Sequence, residues 1–158
     1  MTPSIVLASA SEGRTQLLRR AGVPFVVEPS MCSETTETTN PEEHVKILAL
    51  RKVSEVARRQ TDAVIIGADT VIVRDGEILG KPASSADAET MLVKLAGRSH
   101  QLITGIAILD TSSDRHYVGV ETTEVHIRSL SHERVHAYVA SVEPMGKSGS
   151  YEIQGLGA

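Results

Sequence analysis

Apolar runs of strand length alternate with helical patterns in the first part of this chain. Residues 5–8 and 23–27 are two such runs, and the helical pattern between them stops at Gly22. Residues 40–43 supply an N-cap, a first-turn proline and a glutamate three positions after the cap, so a second helix is predicted to start there and run to about Gln60. The polar loop before it, residues 30–39, is rich in Ser, Thr and Glu.

The central segment predicts a strand that Asp69 interrupts. Residues 63–68 form an uninterrupted apolar run, and residues 71–73 resume it before Asp75-Gly76, a hairpin turn signal. Residues 78–79 would form the returning strand. An acidic residue at a strand exit is a common position for a metal ligand or a general base, and the alternative is that Asp69 only starts a turn.

The remaining pattern predicts two helices and two longer strands. Ser85 can cap a helix that ends at Gly97, residues 101–109 and 116–127 predict strands joined by residues 112–114, and Ser131 begins one more helix. The closing residues, 143–158, are rich in glycine, which suggests backbone shaped around another group.

Composition favours one α/β domain over residues 1–158. Of the 158 residues 41% are hydrophobic but only 3% aromatic, so the core must consist mainly of Val, Ile, Leu and Ala. Such a core suits a sheet covered by helices. We expect a twisted mixed sheet flanked by helices. We also expect a long cleft where Asp69, Lys81, Lys52, Arg14 and Glu34 converge, since ligands commonly bind in such clefts at strand ends.

Charge and cysteine content exclude several classes of protein. A formal net charge of −4 disfavours binding along a nucleic-acid backbone, although a small anionic ligand is compatible with it. The single cysteine, Cys32, has no internal disulfide partner, and no apolar run has the length of a membrane span or a signal-peptide core. These features predict a cytoplasmic protein without a membrane segment.

Lys52 lies within the apolar stripe of the helix that starts at Pro41. On a helical wheel it is surrounded by the hydrophobic positions Val45, Leu48, Ala49, Val53 and Val56. Such a lysine either extends its stem outward to water or binds an anion, and the helix alone does not choose between these. Lysines and an arginine together with carboxylates would suit phosphate chemistry assisted by a divalent metal.

Taken together and in order, these segments resemble the Maf family of nucleotide pyrophosphatases, whose architecture is similar to that of the inosine triphosphatases. The resemblance covers nearly the whole chain. Its pieces are residues 7–11 before Arg14, Glu34, Lys52, residues 67–71, residues 76–82, residues 97–100, Thr104-Gly105 and residues 143–155.

The resemblance implies that water attacks the α-phosphorus of a nucleoside triphosphate and releases the monophosphate and pyrophosphate. Asp69 would accept the proton and, with Glu34, hold Mg²⁺ or Mn²⁺, because hard cations prefer oxygen ligands. The other positions implied are Lys52, Lys81 and Arg14 for the triphosphate, Ser9 and Ser11 as neutral donors, and Thr70 and Gln154 for the choice of base. The resemblance also implies a homodimer and a link to arrest of cell division.

Within the family, residues 67–70 and 151–155 look like the branch that acts on dTTP and UTP, and less like the branch that acts on 7-methyl-GTP.

The chain departs from the usual pattern of the family in two places. Glu12-Gly13-Arg14 replaces the usual Pro-Arg-Arg, so one cation is absent. The chain also ends at Ala158, so it is expected to lack the family's C-terminal strand and helix.

The competing function is a non-catalytic, nucleotide-binding regulator of septum formation.

Other interpretations start from single motifs. Residues 132–136 match the zinc-binding pattern H-E-x-x-H but have no evident third ligand, and residues 146–148 end like a P-loop that lacks its first glycine. We expect the histidines of the first motif to lie on a helix surface, Cys32 to be an ordinary loop thiol, and His100 to be structural.

Overall fold

The structure is a computed structural model that describes residues 3–113 and 115–158. In that part of the chain there are six strands, four α-helices and a 3₁₀ turn at Ser148–Ser150. The strands are β1 (Ser4–Leu7), β2 (Val26–Val27), β3 (Ala63–Arg74), β4 (Glu77–Leu79), β5 (Ser99–Asp110) and β6 (Arg115–His126). The helices are α1 (Glu12–Arg20), α2 (Pro41–Ala57), α3 (Ser85–Leu95) and α4 (His132–Ala140).

The strands form one sheet with the order β2-β1-β3-β5-β6, and β4 also pairs with β3. Strand β1 runs parallel to both β2 and β3, in a register that places Leu7 opposite Val27 and Ile66. Strand β4 is antiparallel to β3. The predicted mixed α/β sheet is therefore confirmed.

Side-chain caps start the helices where the sequence predicted polar residues. The Asn40 side chain accepts a hydrogen bond from the backbone N–H of Glu43 at 3.0 Å, which starts α2 at Pro41. Ser131 caps α4, whereas Ser84 rather than the predicted Ser85 caps α3. Helix α2 ends at Ala57, three residues before the predicted end.

Two strand predictions were wrong in their extent. Strand β3 continues through Asp69, which lies in the middle of the strand and not at an exit or a turn. Strand β2 contains only Val26 and Val27, because the N–H of Val23 donates to Leu18 O at the end of α1 and Pro24 has no N–H to pair.

The predicted hairpin turn at Asp75-Gly76 is confirmed. Asp75 has φ 50° and Gly76 has φ 79°, so both central residues lie in the left-handed region that a two-residue turn between antiparallel strands favours. The predicted turn at residues 112–114 is described only in part, because Asp114 lies outside the described residues.

The described chain divides into two compact units. The first contains the residues up to Asp69 and Thr104–Glu121, and the second contains Thr70–Ile103 and Thr122–Ala158. The expectation of one domain over residues 1–158 stays a prediction. Throughout residues 3–113 and 115–158, every helix is too short or too polar to span a bilayer.

Each unit has an aliphatic core. In the first unit, helix α2 packs on strands β1, β3 and β5 through Val6, Ala8, Ala49, Val53, Val56, Ala63, Ile65 and Ala107. In the second unit, helices α3 and α4 pack through Ala88, Leu92, Val135 and Val139. A further cluster there contains Ile72, Leu79 and Leu95. As predicted, the cores contain few aromatic residues.

Glycine allows the closest approach between α2 and the sheet. A Cβ at Gly105 would lie 2.5 Å from both the carbonyl carbon and the oxygen of Val45, which are backbone atoms. Since a backbone cannot move aside as a flexible side chain can, any side chain at position 105 would push α2 away from β5.

We therefore expect Gly105→Ala to lower the free energy of unfolding by about 2 kcal/mol, within the usual range for overpacking. Urea denaturation followed by circular dichroism measures the change. Gly80→Ala is the matched control, because no atom lies within 4 Å of a Cβ there and the stability should not fall. Equal losses in both variants would contradict the close approach at Gly105.

Candidate active site

Lys52 is held between two carboxylates. Its Nζ donates to Asp69 Oδ1 at 2.7 Å and lies 2.8 Å from Glu34 Oε1. Only 7% of the lysine surface is exposed. Of the two alternatives for a lysine in an apolar stripe, the structure therefore selects the anion, because the ammonium is buried beside its partners and does not reach out to water.

The position of Asp69 follows from the pleat of β3. Alternate residues of a strand point to one face, so Asp69 shares a face with Gly67. A Cβ at Gly67 would lie 2.7 Å from Val53 Cγ1 and 3.2 Å from Ala49 O, so the glycine lets α2 pack directly on the strand. This contact brings Lys52 within hydrogen-bonding distance of the buried Asp69 carboxylate.

Arg51 fixes the loop that carries Glu34. Its Nη1 donates to Ser33 O at 2.9 Å and to Thr35 O at 2.8 Å, on either side of Glu34. The Glu34 side chain itself is half-exposed. Sequence reasoning missed this role, because an arginine on a helix carries no local signal of contacts with a loop sixteen or more residues earlier.

The start of α1 adds an arginine and two serines. Arg14 Nη1 donates to Ser9 Oγ at 3.1 Å, and the N–H of Ser11 donates to the same oxygen at 3.2 Å. Ser11 in turn caps the helix. Burial lowers the pKa of Arg14, and the negative charges of Asp69 and Glu34 offset only part of this effect. The guanidinium and the two carboxylates therefore share one electrostatic environment.

The first unit thus brings together Ser9, Ser11, Arg14, Glu34, Lys52 and Asp69. Three further predicted residues belong to the second unit. Thr70 follows Asp69 in β3, and its carbonyl accepts a hydrogen bond from Ser148 Oγ at 3.1 Å. Lys81 is exposed in the loop between β4 and α3, and Gln154 is exposed in a turn near Ala158.

The donor set suits a hard divalent cation. Across the described ranges, no group of three or more His, Cys, Asp or Glu side chains is placed to hold a metal. Glu34 and Asp69 nevertheless lie together around Lys52. Mg²⁺ is usually held by one or two carboxylates together with substrate phosphates, so this pair fits the metal that the sequence predicted.

The histidines follow their structural predictions. His132 and His136 are both exposed on the surface of α4. His100 is buried, and its Nε2 lies 2.8 Å from the Tyr151 hydroxyl. Burial and the charge of Arg74 lower the pKa of His100, which favours its neutral form. Cys32 is partly exposed in the loop before Glu34.

The open sheet of parallel and antiparallel strands, with helices between them, makes this an α/β protein. The fold is similar to that of the Ham1 protein of Staphylococcus aureus, with a TM-score of 0.56 over 78% of this chain and 71% of that one. At 18% sequence identity, this likeness concerns the fold alone.

The family is then given by sequence. Residues 4–158 match the model of the Maf-like proteins, and this chain belongs to that family. It is 46% identical to the dTTP/UTP pyrophosphatase of Symbiobacterium thermophilum, over 98% of this chain and 79% of the relative. The corresponding enzyme of Dictyoglomus thermophilum is also 46% identical, over 100% of this chain and 83% of the relative. The resemblance recognised from the motifs is thereby confirmed.

Removing Lys52 would leave the buried Asp69 without its cation. We expect Lys52→Met to lower the free energy of unfolding by roughly 3 kcal/mol, as is usual when one partner of a buried ion pair is lost. Urea denaturation at neutral pH measures it, and the double variant with Asp69→Asn should recover part of the loss.

Lys46→Met on the same helix is the matched control. Lys46 pairs with Glu43 at the surface, so its loss should change the stability by less than about 0.5 kcal/mol. If the two lysine variants lose the same stability, the Lys52–Asp69 pair is not buried in solution.

Proposed function

We propose that this protein hydrolyses nucleoside triphosphates to monophosphates and pyrophosphate, with dTTP and UTP as substrates. The observation that carries the proposal is the buried Lys52 held between Glu34 and Asp69, in a chain whose relatives are named dTTP/UTP pyrophosphatases. Those names support the pyrimidine branch over the branch that acts on 7-methyl-GTP.

In the proposed reaction, a water oxygen forms a bond to the α-phosphorus, and the bond from that phosphorus to the bridging oxygen breaks. Pyrophosphate leaves, and Asp69 accepts the proton of the attacking water. Lys52 fixes the orientation of the Asp69 carboxylate through its 2.7 Å hydrogen bond. The buried position and fixed orientation of its carboxylate support Asp69 as the proton acceptor.

Glu34 and Asp69 would hold the divalent cation, Mg²⁺ or Mn²⁺. When bound, such an ion neutralises phosphate charge and favours ionisation of water. Arg51 contributes by holding the backbone on both sides of Glu34. These contacts would keep Glu34 beside Asp69.

Lys52, Arg14 and Lys81 would bind the triphosphate oxygens, with Ser9 and Ser11 as neutral donors at the start of α1. Ser9 Oγ already accepts from Arg14, so the serine also orients the guanidinium. In the second unit, Thr70 and Gln154 would contact the base. The homodimer, the cytoplasmic location and the lack of nucleic-acid binding stay predictions.

Asp69→Asn is expected to lower kcat at least about a hundredfold, since general-base catalysis contributes that much or more. Pyrophosphate release is measured with Mg²⁺ or Mn²⁺ and a panel of nucleoside triphosphates. Circular dichroism shows whether the variant is folded. A folded variant as active as wild type would remove Asp69 from the reaction.

The same panel distinguishes the competing function. If wild type binds nucleotide and releases no pyrophosphate with either metal, it is a regulator and not a hydrolase. Removing the divalent ion with a chelator should abolish turnover, and adding Mg²⁺ back should restore it.

Gly13 offers a separate test of triphosphate binding. A Cβ at this position would contact only Ser11 Oγ, at 3.8 Å, so the start of α1 has room for a side chain. Gly13→Arg should lower KM for dTTP about fivefold, because a second cation would lie beside Arg14. Gly13→Ala is the control for helix stabilisation, and an equal effect of both substitutions would contradict a role of charge.

A further inference from the structure

The turn that carries Gln154 is held by two side chains from the preceding segment. Glu143 Oε2 accepts the N–H of Leu156 at 3.0 Å, and Glu143 Oε1 accepts the N–H of Gly157 at 3.1 Å. The Tyr138 hydroxyl, at the C-terminal end of α4, accepts the N–H of Glu152 at 3.0 Å. Backbone N–H groups on both sides of Gln154 are therefore held by hydrogen bonds to side chains.

Tyr138 and Glu143 also contact each other. The Tyr138 hydroxyl donates to Glu143 Oε1 at 2.8 Å, so one hydroxyl and one carboxylate form a single hydrogen-bonded pair. The Tyr138 ring packs on the α3–α4 core. Hydrogen bonds to the backbone lower the pKa of Glu143, which keeps the carboxylate ionised and able to accept at neutral pH. The turn is thus attached to the packed core of its unit.

Two glycines let the turn close directly on this pair. A Cβ at Gly155 would meet the Glu143 carboxylate, and a Cβ at Gly157 would lie 2.6 Å from the Tyr138 hydroxyl. Neither residue has a positive φ, and a Cβ at Gly157 would also lie 2.8 Å from the backbone oxygen of Glu152, so glycine at position 157 is required by space. The glycine-rich closing segment is therefore shaped around Tyr138 and Glu143.

Selective binding of a base by an amide depends on where the amide lies. Uracil and thymine present an N3–H donor and an O4 acceptor, while cytosine presents an N3 acceptor and an N4 donor. A glutamine amide has both a donor and an acceptor, and a flip exchanges them. Gln154 can therefore discriminate between these bases only where its amide reaches the base edge from a defined position, and the backbone of the turn sets the point from which the side chain starts.

We infer that Glu143, together with Tyr138, is a positioning residue that sets the base selectivity of the reaction by holding the turn of Gln154. The inference rests on the proposed function. Neither residue is placed on the substrate itself. Both act through the turn at residues 152–157.

Glu143→Gln and Tyr138→Phe test the inference, because each removes part of the hydrogen bonding and keeps the side-chain shape. We measure kcat and KM for dTTP and dCTP and compare the ratio of kcat/KM between them. In both variants that ratio should fall about fivefold or more, as expected for the loss of a charge-assisted hydrogen bond. Glu133→Gln and Tyr117→Phe, at exposed positions, are the matched controls and should keep the ratio.

The Gln154→Ala background separates positioning from general stability. If Glu143 acts through Gln154, then Glu143→Gln should leave the dTTP/dCTP ratio unchanged in that background. An equal loss of activity towards both nucleotides would indicate a merely structural role and overturn the inference. A change in ratio that persists without Gln154 would overturn it as well.

Misfolding of a variant and failure of the proposed function can each be distinguished from failure of the inference. Thermal unfolding identifies a variant that fails to fold, and Tyr138→Phe then decides alone, since it leaves the Glu143 acceptors in place. A wild type that releases no pyrophosphate from any nucleotide refutes the proposed function and the inference with it. An active wild type with the same ratio in all variants, or with no preference between the two bases, refutes the inference alone.

Discussion

An ammonium group buried in an apolar helix face has to be neutralised, and this requirement organises the first unit. Lys52 lies among Val45, Leu48, Ala49, Val53 and Val56, where an isolated charge would be very costly. Asp69 from β3 and Glu34 from a loop supply the compensating carboxylates. The pairing ties a helix, a strand and a loop to one point. The groups proposed to hold a metal and accept a proton are therefore also groups that stabilise the fold.

Close packing of backbone is the second condition for this arrangement. Gly67 lets α2 approach β3 beside Asp69, and Gly105 lets the backbone of Val45 approach β5. Both glycines belong to motifs by which the family was recognised. Their structural role shows that such motifs combine chemistry with the absence of side chains. An acid in a strand reaches a lysine on a helix only where the two backbones come close together.

The second unit uses glycine in the same way for a different purpose. Gly155 and Gly157 lie against Glu143 and Tyr138, and the hydrogen bonds there fix a turn that would otherwise have few contacts. Gln154 gains a defined position from neighbours that need not touch a substrate. In the inferred arrangement, the residue proposed to select the base and the residues that position it come from different segments of the chain.

The sequence by itself determined the mixed α/β class, most helix starts, the hairpin at Asp75-Gly76 and the family, since periodicity, caps and turn residues act over a few neighbours. It also singled out Lys52 and Asp69. Tertiary structure alone decided that β3 continues through Asp69, that Lys52 binds two carboxylates, and that Arg51 holds the Glu34 loop. Those outcomes depend on contacts between residues far apart in the chain. No local pattern encodes them, because their energies arise only when distant segments are packed together and removed from water.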